Sequence, residues 1–370
     1  MKDMDKWYKY ERFFTASVKD EITSAEIEGI VRPLYQEEGL AEVYRWTAEK
    51  KMLPYIASLL DRVGIDSENW SPVLNRYRLR NKAVIKELNA IYEAMSESGV
   101  KKMFVSENFG ALLNSGRDIG LFASGDMDNC ADLSEKETID AVFQSLGYRR
   151  EERYSGKAIC TTSFFNEERL PDGFYIGLCW EPLSRLKLPC FINMEDFVNW
   201  DDLRSYSNTA IKLPSVEALL YICLMHITLH TFHRAPAIRL YADILNSCYA
   251  KEPDWEKVYY WARRDHTVTR MMSSAILSHK LAAVSIPEFV ESYEEDKKIK
   301  RLLSYTYNQE YECLKPEPGK FDVYRIEIAC NDKGRMSGLC EMLYPGREWL
   351  TTHYGHGMMR SGLAHLKALV

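Results

Sequence analysis

Asp126 and Asp128 are the residues of this chain whose type and spacing best suit chemistry; they lie in the run Gly125-Asp-Met-Asp-Asn129. A strand sends alternate residues to one face, so Asp-X-Asp on a strand aims two carboxylates at the same point. Hard oxygen ligands arranged that way suit Mg²⁺, which keeps several of its waters and shares the phosphate oxygens of a nucleotide. The same five residues are also ordinary turn composition. On a solvated loop they would hold nothing.

Other spacings invite weaker readings. His226, His230 and His233 fall at i, i+4 and i+7 of an apolar run, the spacing by which one helix face can offer ligands to zinc. That run lacks the glutamate of a His-Glu-X-X-His protease, and the alternative is a set of interface histidines between helix and sheet. Arg239 and Asp243 are four apart on the next helical stretch and are expected to pair on its surface or to face a cleft, with Arg239 reaching a phosphate. His353, His356 and His365 are separated by glycines and show no ligand spacing.

The elements that must position these residues follow from the hydrophobic pattern. Residues 7–98 read as helices: Ala41–Ala48, Leu53–Val63 closed by Gly64, and Arg76–Met95, whose stripe is Leu79, Val84, Leu88, Ile91 and Met95. From Lys101 the texture changes. Met103–Val105 is a short strand, Phe109–Leu113 opens a helix, and Gly116 and Gly120 break the chain before the Asp-X-Asp. Glu135–Leu146 reads as a helix, with Ser134 and Glu137 at capping-box spacing. Arg149–Phe165 reads as a strand pair, and Phe174–Trp180 as a further strand. After Pro214 the chain is helical again through Val216–His233, Arg239–Cys248, Trp255–Asp265 and Arg270–Val284. The pattern predicts an α+β fold, mostly helical, with a small mixed sheet flanked by N-terminal and C-terminal helical regions.

Composition bounds the function classes. The 370 residues are 46% hydrophobic and 12% aromatic, which is globular composition. With 48 basic against 54 acidic residues and a net charge of −6, the chain carries no electrostatic footprint for nucleic acid or an anionic membrane. Its nine cysteines are scattered without a Cys-X-X-Cys, the usage of reduced thiols, and are expected to be buried small hydrophobes. No run approaches the ~18 apolar residues of a membrane span, and the charged N-terminus leads into no signal-peptide core. The expected location is the cytoplasm.

The order of these parts resembles the uncharacterised nucleotidyltransferase family of the polymerase-β-like superfamily. The residues that carry the resemblance run from about Leu40 to the end. They are Arg80-Asn81 with Leu88 and Ser98-Gly-Val100, then Gly125-Asp-Met-Asp128 and Leu146-Gly-Tyr148. Further on come Leu219–His226, His230, Arg239-Leu-Tyr-Ala-Asp243, Asp254-Trp255, Leu343-Tyr-Pro345 and Glu348-Trp-Leu350. The resemblance implies an N-terminal helical region over 1–98, a nucleotidyltransferase core over 99–205 and a C-terminal helical domain over 206–370. It also implies transfer of a nucleotide from a nucleoside triphosphate to a small-molecule, sugar or peptide acceptor. Asp126 and Asp128 would share Mg²⁺, and Asn108, Gly110, Arg117, Gly125 and Arg239 would hold the nucleotide.

The chain departs from that family at three places. A Lys-Gly pair on the first strand-to-helix turn is replaced by Glu107 and Asn108, leaving Gly110 as the nearest glycine. Phe122 stands where an Arg usually precedes the Asp-X-Asp, with Arg117 the nearest cation. On the later strand Gly177 and Cys179 stand where an acid and a His are usual, and Glu181 lies ~13 Å further along the same face. The expectation is a two-carboxylate site whose phosphate cradle lacks its cation: either an enzyme with a partly degenerate site or a catalytically inactive nucleotide-binding or protein-binding module.

Overall fold

The computed structural model describes residues 2–19, 22–155, 158–171, 173–180, 183 and 192–369. The chain begins with α1 (Lys2–Val18), α2 (Ser24–Glu38), α3 (Leu40–Glu49), α4 (Leu53–Val63) and α5 (Ser67–Glu97). Thr23 starts α2 with a reciprocal capping box. Its hydroxyl accepts from Glu26 N–H, and the Glu26 carboxylate accepts from Thr23 N–H at 2.9 Å. Gly64, in the left-handed region at φ 72°, ends α4 as its position predicts.

Helix α5 buries Val84, Leu88, Ile91 and Met95, but Leu79 is 70% exposed. Five residues before Val84, Leu79 falls off the stripe by more than half a face. The inward place belongs to Asn81 instead. Its side-chain amide donates to the carbonyls of Ile119 (2.6 Å) and Phe122 (3.0 Å), and Arg80 Nη2 donates to the same Phe122 carbonyl at 2.6 Å. The long helix therefore fixes the loop that leads into the next strand.

The sheet has the order β1–β2–β5–β4–β3, formed by β1 (Met103–Val105), β2 (Asp126–Ala131), β3 (Arg149–Ser155), β4 (Ala158–Phe165) and β5 (Tyr175–Cys179). Helix α6 (Glu107–Ser115) follows β1, and α7 (Lys136–Ser145) follows β2. Strand β2 pairs antiparallel with β1 and parallel with β5, and the β5–β4 and β4–β3 pairs are antiparallel. The Ser134–Glu137 spacing does not form a capping box. Asp132 caps that turn by accepting from Ser134 N–H, and Glu135 accepts from the Lys101 and Lys102 amides. Packing of Phe143 on Phe164, centroids 3.8 Å apart, fixes α7 to the sheet.

Beyond the sheet, α8 (Val216–Leu229) is buried nearly all round, and α9 (Ile238–Tyr249), α10 (Trp255–Arg264) and α11 (Val268–Ala282) pack about it. The chain continues through α12 (Glu288–Glu291), α13 (Lys297–Thr306), α14 (Lys320–Ala329), α15 (Arg335–Leu343), α16 (Arg347–Tyr354) and α17 (Met358–Leu369). This is the mostly helical α+β fold with a small mixed sheet that the pattern predicts. The free cysteines among the described residues are mostly buried, but Cys340 is exposed, against expectation. Among the described residues no helix is long and apolar enough to cross a membrane.

Replacing Asn81 by alanine removes two hydrogen bonds to the loop before β2 and leaves Arg80 on the Phe122 carbonyl and the Phe122 N–H on that of Ile119, a loss of about 1–3 kcal/mol. Denaturant unfolding of Asn81→Ala should show that loss; a change below about 0.5 kcal/mol would place the loop's anchor elsewhere.

Candidate functional site

On β2 the alternation separates two faces. Met127 and Asn129 are buried, and Asn129 is held by the Tyr92 hydroxyl, which donates to its Oδ1 at 2.9 Å. Asp126 and Asp128 project to the opposite face, into a cleft of about 250 Å³. Asp126 accepts from the Ser124 hydroxyl at one oxygen and from the Tyr175 hydroxyl (3.1 Å) at the other. Burial pushes its carboxyl up, but the Ser124 bond, the Lys51 charge, the Tyr175 bond and Arg239 outweigh burial. It lies below the usual carboxylate range. Asp128 pairs in register with Gly177 of β5, and a Cβ at Gly177 would stand 2.9 Å from Asp128 Oδ1. The glycine leaves the space the Asp128 carboxylate occupies.

Four parts of the chain wall this cleft. Lys51 comes from the turn after α3, and Glu107 and Asn108 from the start of α6. Arg153, Thr161 and Ser163 come from β3 and β4, with Tyr175 and Cys179 from β5. His226, Leu229, His230, Pro236 and Arg239 come from α8, the following turn and α9. Lys51 and Arg153 thus join the expected Arg239 as cations lining the cleft. Glu107 lies in the cleft as its position implies, its carboxylate 3.1 Å from His226 Nδ1.

Of the expected site residues, the cleft gathers Asp126, Asp128, Asn108 and Arg239. Three others stand outside its lining for identifiable reasons. A Cβ on Gly110 would lie 2.5 Å from the Val105 carbonyl and 3.3 Å from Leu219, so the glycine lets α6 pack closely against β1 and α8. After α6 the chain turns at Gly116 (φ 68°), and Arg117 then lies against α9, donating to Asn246 Oδ1 at 3.0 Å and covering the Tyr249 ring. Gly125 acts through its carbonyl, which accepts from Tyr175 N–H at 3.0 Å and starts the β2–β5 pairing. Glu181 lies outside the described residues.

The histidine row does not form. Helix α8 ends at Leu229, so His233 leaves the shared face; it is buried, with Nδ1 2.7 Å from the Thr231 carbonyl oxygen. His226 and His230 do line the cleft, and burial pulls the His230 imidazole down to about 4, which keeps it neutral at pH 7. Among the described residues no group of three or more His, Cys, Asp and Glu side chains is placed to hold a metal. A larger groove of about 350 Å³ between α11 and α13 contains two carboxylates, Asp296 and Asp332. Both are engaged there as helix caps, accepting from Lys298 and Ile299 amides and from Val268 and Thr269 amides respectively.

Arg239 and Asp243 pair inside the protein, at 6% and 5% exposure, not on the helix surface. Arg239 Nη1 lies 2.9 Å from Asp243 Oδ2, and the guanidinium Nε has no hydrogen-bond partner. Burial pushes Asp243 up to about 7, against the downward pull of Arg239. Since this folded-state value exceeds that of the unfolded chain, the group's contribution to stability is complete below about pH 4 and is lost as pH rises to about 7. Unfolding measured from pH 4 to 8 should show the wild type losing stability relative to Asp243→Asn across that window. Parallel curves would show that Asp243 does not titrate there.

Three comparisons bear on what the chain is. No curated protein matches it. The solution structure of the antibiotic-resistance factor ANT(2'')-Ia is similar at 12% identity over 50% of this chain and 91% of that one, with a TM-score of 0.34. At that score the shared trace supports no inference about activity. A family model described as uncharacterised nucleotidyltransferase matches residues 36–283, about two thirds of the sequence. That span includes β2 and the whole cleft wall, whereas the tail residues Leu343-Tyr-Pro345 and Glu348-Trp-Leu350 fall beyond it. The chain belongs to the uncharacterised nucleotidyltransferase family.

Proposed function

We propose that the cleft binds a nucleoside triphosphate with Mg²⁺ and transfers its nucleotidyl group to the hydroxyl of a small molecule, a sugar or a peptide. The observation that carries this reading is the pair Asp126 and Asp128 on one face of β2, opening on the same cleft as Arg239. Two hard carboxylates at alternate strand positions fit Mg²⁺, which needs only one or two from a protein when phosphates complete its shell. Asp126 and Asp128 would hold the ion, whose chemistry is to neutralise charge building on the reacting phosphate.

The chain's own part is positioning and electrostatics. Ser124 and Tyr175 orient Asp126 and favour its ionised form. Arg239 lines the cleft and brings a guanidinium that suits a phosphate oxygen. Glu107 opposes phosphate charge, and its carboxylate lies 3.1 Å from His226 Nδ1.

A second reading, a nucleotide-binding or protein-binding module without turnover, is favoured by Gly177. A side chain there would stand directly beside Asp128, and the position carries no carboxylate. One experiment separates the two: Mg²⁺ titration and pyrophosphate release with four nucleoside triphosphates, on wild type, Asp128→Asn and Gly177→Asp. Wild-type release lost by tenfold or more in Asp128→Asn supports transfer. In Gly177→Asp the Asp128 carboxylate must swing aside, and Mg²⁺ affinity should then rise. Nucleotide binding without release by any of the three would establish the module.

A further inference from the structure

Two charged residues stand where the backbone favours glycine, and both reach the cleft. Helix α3 ends in a Schellman turn: Lys51 N–H donates to the Ala48 carbonyl (3.0 Å) and Met52 N–H to that of Thr47 (2.8 Å). Lys51 occupies the left-handed position of this turn at φ 55°, and Glu107 is left-handed at φ 49° where the chain leaves β1. L side chains are disfavoured in that region, and such outliers gather at functional sites. Here the backbone strain and the cleft-facing charge coincide twice.

We propose that Lys51 binds the polyphosphate tail of the nucleotide, supplying from the N-terminal helices the cation that the first strand-to-helix turn lacks. This rests on the reading of the cleft as a nucleotide site. Lys51 is half-buried, and its ammonium donates to Ser124 Oγ at 3.2 Å, which in turn donates to Asp126. That bond uses one of three N–H donors. Lys51 lines the same cleft as Asp126 and Asp128, so its charge stands beside the carboxylates that would hold the metal. An ammonium beside a metal-binding carboxylate is well placed for phosphate oxygens bridging to that metal. Lys51 is thus the counterpart of Glu107: an exchange of charge between two cleft walls, with His226 facing the glutamate.

The test is calorimetric titration of the full chain with inorganic tripolyphosphate in excess Mg²⁺, for wild type, Lys51→Gly, Lys51→Gln and Lys51→Arg. Loss of one charged contact should weaken binding roughly tenfold or more in the Gly and Gln variants, and Lys51→Arg should restore most of it. The thermal midpoint of Lys51→Gly should equal or exceed that of wild type, because glycine suits the left-handed turn. Unchanged affinity in Lys51→Gln, or no tripolyphosphate binding by the wild type, overturns the proposal. No transfer occurs in this titration. A chain that binds tripolyphosphate through Lys51 yet releases no pyrophosphate from any nucleotide would therefore fail the transfer reading and keep this one.

Discussion

The parallel pairing of β2 with β5 sets Asp126 beside Tyr175 and Asp128 beside Gly177, and the cleft depends on that register. A slip of one residue would turn Met127 and Asn129 to the cleft and bury both carboxylates. Several contacts hold the strand against that slip. Its other edge pairs with β1, Tyr92 holds Asn129 from behind, and Asn81 with Arg80 fixes the Phe122 carbonyl just upstream. Ser106 closes the arrangement, its N–H donating to the Asp128 carbonyl at 2.9 Å and so joining the start of α6 to β2. The functional face is thus a consequence of backbone pairing backed by buried amide side chains.

The charge pattern of the cleft is assembled from distant parts of the chain. Carboxylates come from the sheet, cations from the α3 turn, β3 and α9, and the one glutamate on α6 faces a histidine of α8. Such an arrangement suits a ligand with both signs, such as a metal-bound phosphate. Two features temper it as a catalytic site: Gly177 contributes no third carboxylate, and Asp243 behind Arg239 draws part of that cation's field inward.

Much of the fold was legible because periodicity is local. The strand alternation that aligns Asp126 with Asp128 is visible in five residues and extends back to Ser124, whereas Tyr175 reaches Asp126 only through the β2–β5 register. Lys51 carried no such signal, since nothing in a helix-ending turn says which distant strand its side chain meets. Arg117 shows the converse: it is near Asp126 along the chain, but Gly116 turns it toward α9. The run Val216–His233 contains no glycine or proline to show that α8 stops at Leu229, so the histidine spacing looked continuous. Leu79 suits the α5 stripe by its apolar type, but five residues from Val84 is out of phase with a helix, and the buried position belongs to Asn81, which tethers the loop.

The central claim is that Asp126 and Asp128 together form a metal-dependent nucleotide site. Its most direct test is a crystal structure with Mn²⁺ and a non-hydrolysable nucleoside triphosphate, located by the anomalous signal of the metal. The account predicts manganese bound by both carboxylates, with the phosphates lying between it, Lys51 and Arg239. Nucleotide and metal seated elsewhere, in the groove between α11 and α13 for example, with the β2 carboxylates untouched, would contradict it.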